Sequence, residues 1–304
     1  AGGSVLLRLG IVILNWNTRA LLRRCLQTVL ASEGLAGFRI VVVDNASTDG
    51  SVDMLRQEFP QLELIANAEN SGYPAGNHLG LRALGYGAAG QVRADAPEYV
   101  LLLNPDTEVP PEALARLVAY MDARPEIGIA GPRLVLPDGS LDLACRRSFP
   151  SPLVSLYRFT GLARMFPRHR QFGRYNMTFA DPDEELEVDA VVGACMLVRR
   201  EAIAAVGLLD EAFFMYGEDL DWAWRIKRAG WKVYYQPQVV VRHVKRAASR
   251  QSRRAGHEFQ RAMLLFYRKH YRRSTPLWLH SLVMTGLLLK GGRAMLTEIR
   301  QPTA

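Results

Sequence analysis

Up to Met121 the chain alternates short, almost wholly apolar runs with longer amphipathic segments, a pattern that restricts it to parallel strands joined by crossover helices. Leu9 to Leu14, Arg39 to Val43, Leu62 to Ala66 and Tyr99 to Leu103 read as strands. Arg19 to Ser32, Ser51 to Phe59, Ala75 to Leu84 and Pro111 to Met121 read as the helices, the last opened by prolines that suit a first helical turn. This predicts a doubly wound α/β half, whose ligands bind outside the carboxyl ends of the strands.

Beyond it the pattern loosens. Ile127 to Leu136 reads as a strand, whereas Ser148 to Asp183 is rich in Pro, Arg and aromatic residues and reads as one long irregular stretch. Val188 to Val198 follows as a strand, Arg200 to Val206 as a helix, Trp231 to Tyr235 and Val239 to His243 as two strands, and Glu258 to Tyr271 and Pro276 to Leu296 as two closing helices. With 304 residues, 49% of them hydrophobic, there is enough apolar side chain for one large α/β domain and an appendage, which excludes general disorder.

The expected sheet edge collects polar residues. After the first strand come Asn15, Trp16, Asn17 and Thr18; after the second, Asp44 to Gly50; after the fourth, Asn104, Pro105, Asp106 and Thr107. Each alone is an ordinary turn, because Asn, Asp, Ser and Thr bond their own backbone. Three at one edge point to a ligand.

A second concentration is Phe213 to Trp222, where Glu218, Asp219 and Asp221 sit in a segment that otherwise reads as buried. Buried charge is unfavourable unless paired, bound to metal or used in chemistry. If Gly217 turns the chain into a helix starting near Glu218, the carboxylates occupy its first turn, where N–H groups favour negative charge. A helix cap and a catalytic site both fit this arrangement. Asn70 to Gly80 leads into a helix and offers backbone N–H groups to a diphosphate, but it is neither Gly-x-Gly-x-x-Gly nor a phosphate loop ending in Gly-Lys-Ser/Thr.

Taken in order, Asn15-Trp16-Asn17, Asp44 to Gly50, Asn70-Ser71-Gly72 with Asn77, Leu103-Asn104-Pro105-Asp106, Val192 to Met196 and Gly217 to Asp221 resemble the inverting glycosyltransferases of family two. The likeness covers about residues 9 to 245 and is closest to the bacterial rhamnosyltransferase-like branch. It implies the GT-A fold: a doubly wound, mostly parallel sheet with a nucleotide-sugar site at the strand C-terminal edge. The catalytic domain would span residues 1–245, with a nucleotide-binding half near 9–125 and an acceptor half near 126–245, and a basic helical extension over 246–304.

The resemblance also implies roles. Asp44 would read a pyrimidine N3–H while Asn15, Trp16 and Asn17 flank the nucleoside, and Asn45, Asn70, Gly72, Asn77 and Asn104 would complete the nucleotide-sugar contacts. Asp106 corresponds to the final Asp of the family's Asp-x-Asp motif, with Asn104 in place of the first, leaving one carboxylate for Mg²⁺ or Mn²⁺ beside a diphosphate. His243 falls where some relatives supply a further metal ligand, and a structural histidine is the equal alternative. Asp219 would be the general base on the acceptor hydroxyl, and Glu218 would orient the acceptor. Asp221 is expected to cap the helix or pair with Arg225.

The implied activity is transfer of a sugar, rhamnose from dTDP-rhamnose being the best match, from a dTDP- or UDP-sugar to a hydroxyl of a cell-surface glycan or lipid-linked acceptor. A sugar-1-phosphate nucleotidyltransferase is the enzyme alternative, although Asn15 to Thr18 lacks the Gly-rich, Arg-containing loop it requires. A nucleic-acid-binding module would explain the basic tail but not the carboxylates, so nucleic acid is not expected as a partner. Trp222, Trp224 and Trp231 could stack on sugar but suit a core better, and Arg146 and Arg147 read as surface arginines with phosphate contact as the alternative.

The +8 net charge is not evenly spread, because Arg242, Lys245, Arg246, Arg250, Arg253, Arg254, Arg261, Arg268, Lys269, Arg272 and Arg273 are opposed in that stretch only by Glu258. An anionic partner is expected there. The apolar run Pro276 to Leu289 is shorter than the roughly 20 residues of a span, so the C-terminal helices suit a membrane surface, the catalytic domain or a second copy of the chain. Cys25, Cys145 and Cys195 cannot all pair with one another, and Ala1 to Ser4 has no basic signal-peptide start. Both point to a cytoplasmic protein, with peripheral association at the cytoplasmic face of the inner membrane as the variant.

Overall fold

A computed structural model describes residues 7–244 and 253–300. The first half follows the alternation closely: β1 (Leu9–Asn15), α1 (Arg19–Leu30), β2 (Phe38–Asp44), α2 (Ser51–Glu58), β3 (Glu63–Ala66), α3 (Tyr73–Ala83), β4 (Tyr99–Leu103), a two-residue β5 (Thr107–Glu108) and α4 (Ala113–Asp122). β6 (Ile127–Val135), α5 (Pro152–Phe159), α6 (Leu162–Met165), β7 (Leu186–Glu187), β8 (Cys195–Arg199), α7 (Arg200–Val206), α8 (Glu218–Arg228) and β9 (Lys232–His243) follow. α9 (Arg253–His270), α10 (Leu277–Gly291) and α11 (Ala294–Arg300) close the described chain.

These strands form one nine-stranded sheet in the order β3-β2-β1-β4-β8-β6-β9-β5, with β7 on β9. β3, β2, β1 and β4 run parallel, and β1, β2 and β4 are buried along nearly their whole length, as strands covered by helices on both faces must be. α3 lies close on β1 because Gly76 and Gly80 have no side chains: a Cβ would come within 2.5 Å of Leu14 Cδ1 and of Val12 Cγ1, respectively. Gly76 and Gly80 therefore serve helix-to-sheet packing.

The sheet changes direction at β8, which is antiparallel to both β4 and β6, with Cys195 opposite Leu103. This reversal sets the loop entering β8 against the loop leaving β4, and Asn104 N donates to Ala194 O at 2.9 Å. At the far edge β5 is antiparallel to β9, pairing Thr107 with His243. Segments distant in sequence thus meet at one end of the sheet.

Four expectations about secondary structure are corrected. The strand expected over Val188 to Val198 is confined to Cys195–Arg199, because Asp189 and Ala190 bond to Arg147 O instead of to β4. The stretch from Ser148 to Asp183 contains α5 and α6, and α5 carries a start signal in Ser151-Pro152: the serine side chain accepts from Val154 N with proline in the first turn. The two strands expected on either side of Pro237 are one, because a register shift opposite Pro132 and Arg133 absorbs the proline. The last expected helix is two, separated at Gly292, whose φ of +65° ends α10.

α9 docks on α8 through a buried ion cluster. Asp221, 0% exposed, accepts from Arg225 Nε at 2.9 Å, from Lys269 Nζ at 2.7 Å and from His270 Nε2 at 2.8 Å. Burial alone would raise its pKa, but the His270 hydrogen bond and the charges of Arg225 and Lys269 outweigh it and bring it down to about 2. Trp224 packs edge-on to Phe149 at 4.7 Å and to Tyr271 at 5.2 Å, while Trp222 is fully buried and donates to Gly207 O. Trp222 is core, and Trp224 and Trp231 pack against it half-buried.

The basic surface is smaller than the sequence suggests. Arg242 meets Glu108, Arg261 meets Glu258 and Glu298, Arg268 donates to the carbonyls of Glu298 and Ile299, and Lys269 is held by Asp210 as well as Asp221. Lys245, Arg246 and Arg250 lie outside the described residues, as do Ala1 to Ser4. All three cysteines are buried and free, and among the described residues no helix is long and apolar enough to cross a membrane.

The Asp221→Ala variant should lose about 3 kcal/mol of stability, because two cations and a histidine lose a common buried partner. Urea unfolding at neutral pH measures it, and a loss below about 1 kcal/mol would mean that the cluster does not hold α9.

Candidate active site

The turn after β4 is tight: Thr107 Oγ1 donates to Asn104 O at 2.8 Å, and β5 leads at once into its pairing with β9. Asp106 is therefore held against His243, with Nε2 to Oδ1 at 3.3 Å. The other ring nitrogen, Nδ1, lies 2.8 Å from Asp142 Oδ2, and Asp142 Oδ1 accepts from Ala144 N. Burial would lower the His243 pKa, but the hydrogen bonds to Asp106 and Asp142 outweigh it and raise it to about 9.

These residues fit a divalent cation. Asp106 Oδ1 is buried and, among the described residues, faces the His243 imidazole as its one close polar neighbour, and an imidazole whose second nitrogen is oriented by a carboxylate is a common metal-ligand arrangement once the nitrogen toward Asp106 gives up its proton. Among the described residues no three His, Cys, Asp or Glu side chains are grouped to hold a metal ion, so a cation on Asp106 and His243 would need further oxygen ligands from a diphosphate and water.

The start of α8 lines the same cleft. Tyr216 and Gly217, with φ of +67° and +80°, turn the chain so that Glu218 begins the helix. Asp219 Oδ2 accepts from Arg147 Nη2 at 2.6 Å and from Gly193 N at 3.1 Å, all of it buried. Burial would lower the Arg147 pKa, but the Asp219 charge raises it overall, so the guanidinium stays charged. Arg147 also donates to Val191 O, which fixes it to the loop entering β8.

Glu218 has a different solution. Its Oε2 is buried without a partner, and burial, reinforced by the Asp219 charge, pushes its pKa up to about 8. Two adjacent carboxyls thus differ in character, one paired with a guanidinium and one stable as the neutral acid.

A second polar network fills the ends of β1, β2 and β3. Asn15 Nδ2 donates to Asp44 Oδ2 at 2.7 Å and to Ser47 Oγ, while Ser47 N donates to Asp44 Oδ1 at 2.8 Å. Asn17 Oδ1 accepts from Thr48 N, and Trp16 between them is 46% exposed. Asn45 joins the loops, donating to Asn70 Oδ1 and Gly72 O and accepting from Asn67 and Ser71. Asn77 donates to Tyr73 O within its own helix.

A cleft of about 750 Å³ brings together Asn104, Asp106, Arg147, Gly193, Glu218, Asp219 and His243. Asn15, Trp16, Asn17, Asp44, Asn45, Asn70, Gly72 and Asn77 lie outside its walls. The two regions are joined at Gly72: Tyr73 N donates to Phe214 O at 2.7 Å, and Tyr73 Oη donates to Gly193 O at 3.0 Å. Asp142 is a site residue that the sequence reading missed, and Arg147, read as a surface arginine with phosphate contact as the alternative, is instead buried against Asp219. An Arg-Arg pair has no sequence signal that says which carboxylate it meets, and Asp142 lies in an ordinary turn sequence. Arg146 is buried too, donating to Ala180 O and Asp181 O, which corrects its reading as a surface residue.

Residues 8–256 match the family described as glycosyltransferase like family 2. The chain is 34% identical over 225 residues to the N-acetylglucosaminyl-diphospho-decaprenol L-rhamnosyltransferase of Mycobacterium tuberculosis, covering 72% of each chain. It is 29% identical over 222 residues to the low-salt glycan biosynthesis hexosyltransferase Agl10 of Haloferax volcanii, covering 72% of this chain and 62% of that one. Among solved structures, GalNAc-T7 with UDP, GalNAc and Mn²⁺ matches with a TM-score of 0.58 at 17% identity over 99% of this chain and 59% of that one. The mannosyltransferase PcManGT of Pyrobaculum calidifontis with GDP-Man and Mn²⁺ matches at 0.57 and 17% over 98% and 76%. The structural neighbours share the GT-A sheet.

Gly72 combines φ +86° with ψ 176°, and a Cβ there would lie 2.6 Å from Phe214 O. Gly72→Ala should therefore lose about 2–3 kcal/mol in urea unfolding, and a loss under 0.5 kcal/mol would show that the junction is not tight. Glu218, raised from 4.5 to about 8, binds more protons folded than unfolded between those values, so it draws stability down as pH rises through that window. Glu218→Gln should raise the melting temperature relative to wild type at pH 8.5 but not at pH 4.5; an equal change at both would contradict the neutral-acid assignment.

Proposed function

Because the chain belongs to glycosyltransferase family 2, we propose that it is an inverting, metal-dependent rhamnosyltransferase that uses a dTDP- or UDP-sugar, dTDP-rhamnose first, and a lipid-linked glycan acceptor. The observation that carries this reading is that Asp106, His243, Asp219, Glu218 and Arg147 all line one cleft. The sugar and the lipid-linked acceptor follow the name of the Mycobacterium tuberculosis relative. Family membership favours this reading over a nucleotidyltransferase.

In this reading the acceptor hydroxyl lies beside Asp219 and attacks the anomeric carbon from the side opposite the diphosphate. The new C–O bond forms as the bond to the diphosphate breaks, the hydroxyl proton passes to Asp219, and configuration inverts. Arg147 and Gly193 N aim the carboxylate from behind, and neutral Glu218 donates a hydrogen bond to the acceptor or the sugar. Asp106 and His243 would hold a divalent cation, which supplies charge neutralisation for the departing nucleoside diphosphate. Mn²⁺ is named with the nucleotide or nucleotide sugar in both solved neighbours, which puts it ahead of Mg²⁺ in this reading.

The network of Asn15, Asn17, Asp44, Asn45, Asn70, Gly72 and Asn77 takes the nucleoside side in this scheme, with Trp16 available as a stacking face and Asn104 nearer the sugar. Asp44 already uses both oxygens within the protein, so its proposed reading of the pyrimidine would involve exchange of the Asn15 or Ser47 bond. We assign residues up to about 245 to catalysis, divided near 125 into donor and acceptor halves, with the C-terminal helices as an extension at the cytoplasmic face of a membrane.

The Asp219→Asn variant should bind nucleoside diphosphate as wild type does and lose about 10² to 10⁴ in kcat. Calorimetry and a transfer assay separate the two properties, and near wild-type turnover would remove Asp219 from the role.

A further inference from the structure

A second concavity lies between α5, α9 and α10, about 140 Å³ in volume and walled by Leu156, Phe159, Met263, Leu282, Val283 and Leu287 among others. It is contiguous with the catalytic cleft, because Arg158, Phe259 and Met263 line both. No carboxylate lines the groove, but two cations do: Arg158 at the junction with the cleft, and Lys290. Neither makes an ion pair among the described residues. Arg158 lies over the Tyr175 ring at 4.1 Å and Lys290 over Phe159 at 5.6 Å. The outer lip is apolar and exposed, with Phe159 at 40% and Leu282 at 46%, and Leu289 of the same helix at 71%.

An apolar trough that ends in an unpaired arginine at the edge of a reaction cleft is complementary to an amphiphile with an anionic head and a hydrocarbon tail. We propose that this groove binds the prenyl tail of the acceptor, with Arg158 meeting the diphosphate that joins tail to sugar. The assignment rests on the transferase reading above and adds to it where the lipid lies. Continuity with the cleft decides the occupant: a tail in the groove presents its diphospho-sugar toward Asp219, whereas a bilayer lipid would need no connection to the cleft. Gly286 on α10 lines the groove, and a Cβ there would lie 3.5 Å from Phe159 Cδ2, so a larger side chain enters the trough without displacing the helix backbone.

Binding of farnesyl diphosphate (C15) and isopentenyl diphosphate (C5) to the full chain, measured by calorimetry, isolates the tail because the head is common. Wild type should bind the C15 compound at least ten-fold more tightly. Gly286→Leu should reduce the preference to within two-fold while leaving C5 and nucleotide binding unchanged, and Arg158→Gln should weaken both prenyl diphosphates by the same factor. Equal affinity for C5 and C15, a preference that survives Gly286→Leu, or displacement of the C15 ligand by monomeric dihexanoyl phosphatidylglycerol at equal concentration would each overturn the assignment. In a transfer assay, equal kcat/KM for C15- and C5-linked acceptors would overturn the groove and leave the transferase reading standing. A C15 binding preference without transfer to either acceptor would retain the groove and overturn the transferase reading.

Discussion

Three carboxyls in the first turn of α8, all 6% exposed or less, are the constraint around which the rest of the molecule is arranged. Burying charge at this density is unfavourable unless each group finds its own resolution. Asp221 takes three donors and in doing so fastens α9 to the catalytic unit. Asp219 takes Arg147 and the Gly193 amide, fixing the loop before β8. Glu218 has no partner for Oε2 and is stable as the acid. One helical turn therefore joins a carboxylate that holds α9, a carboxylate held by a guanidinium and a carboxyl stable as the acid.

The sheet delivers the other side of the site. Reversal of direction at β8 brings Gly193 beside Asn104, and the edge pairing of β5 with β9 brings His243 beside Asp106. The loop at Gly72 completes the connection by bonding to the segment that precedes α8. The cleft is thus bounded by backbone pairings, and its side chains are held by rigid elements, which is the arrangement that pre-organised chemistry requires.

Local signals in the chain were sufficient for much of this. The apolar runs located β1, β2, β3 and β4 to within a residue or two, and for β1, β2 and β4 the reason is that strands buried on both faces have little compositional freedom. Gly217 marked the start of α8, and the i,i+4 spacing of Asp221 and Arg225 foretold their pairing. The ordered set of motifs led to the family. What stayed hidden depends on tertiary contacts: Arg147 reaches Asp219 across 72 positions, Asp142 reaches His243 across 101, and His270 reaches Asp221 across 49. No periodicity encodes such pairs. The α5 helix was hidden for another reason, since proline and arginine obscured its pattern although Ser151-Pro152 marked its beginning.

The account depends on Asp219 and a metal-held diphosphate lying on opposite sides of one anomeric carbon. The direct measurement is the configuration of the product: incubate the protein with dTDP-rhamnose, Mn²⁺ and a prenyl-diphospho-sugar acceptor, and read the new linkage by NMR alongside dTDP release. The account predicts release of dTDP that requires both acceptor and Mn²⁺, and a linkage of inverted anomeric configuration. Retained configuration would contradict it, as would no release of nucleoside diphosphate across a panel of dTDP-, UDP- and GDP-sugars.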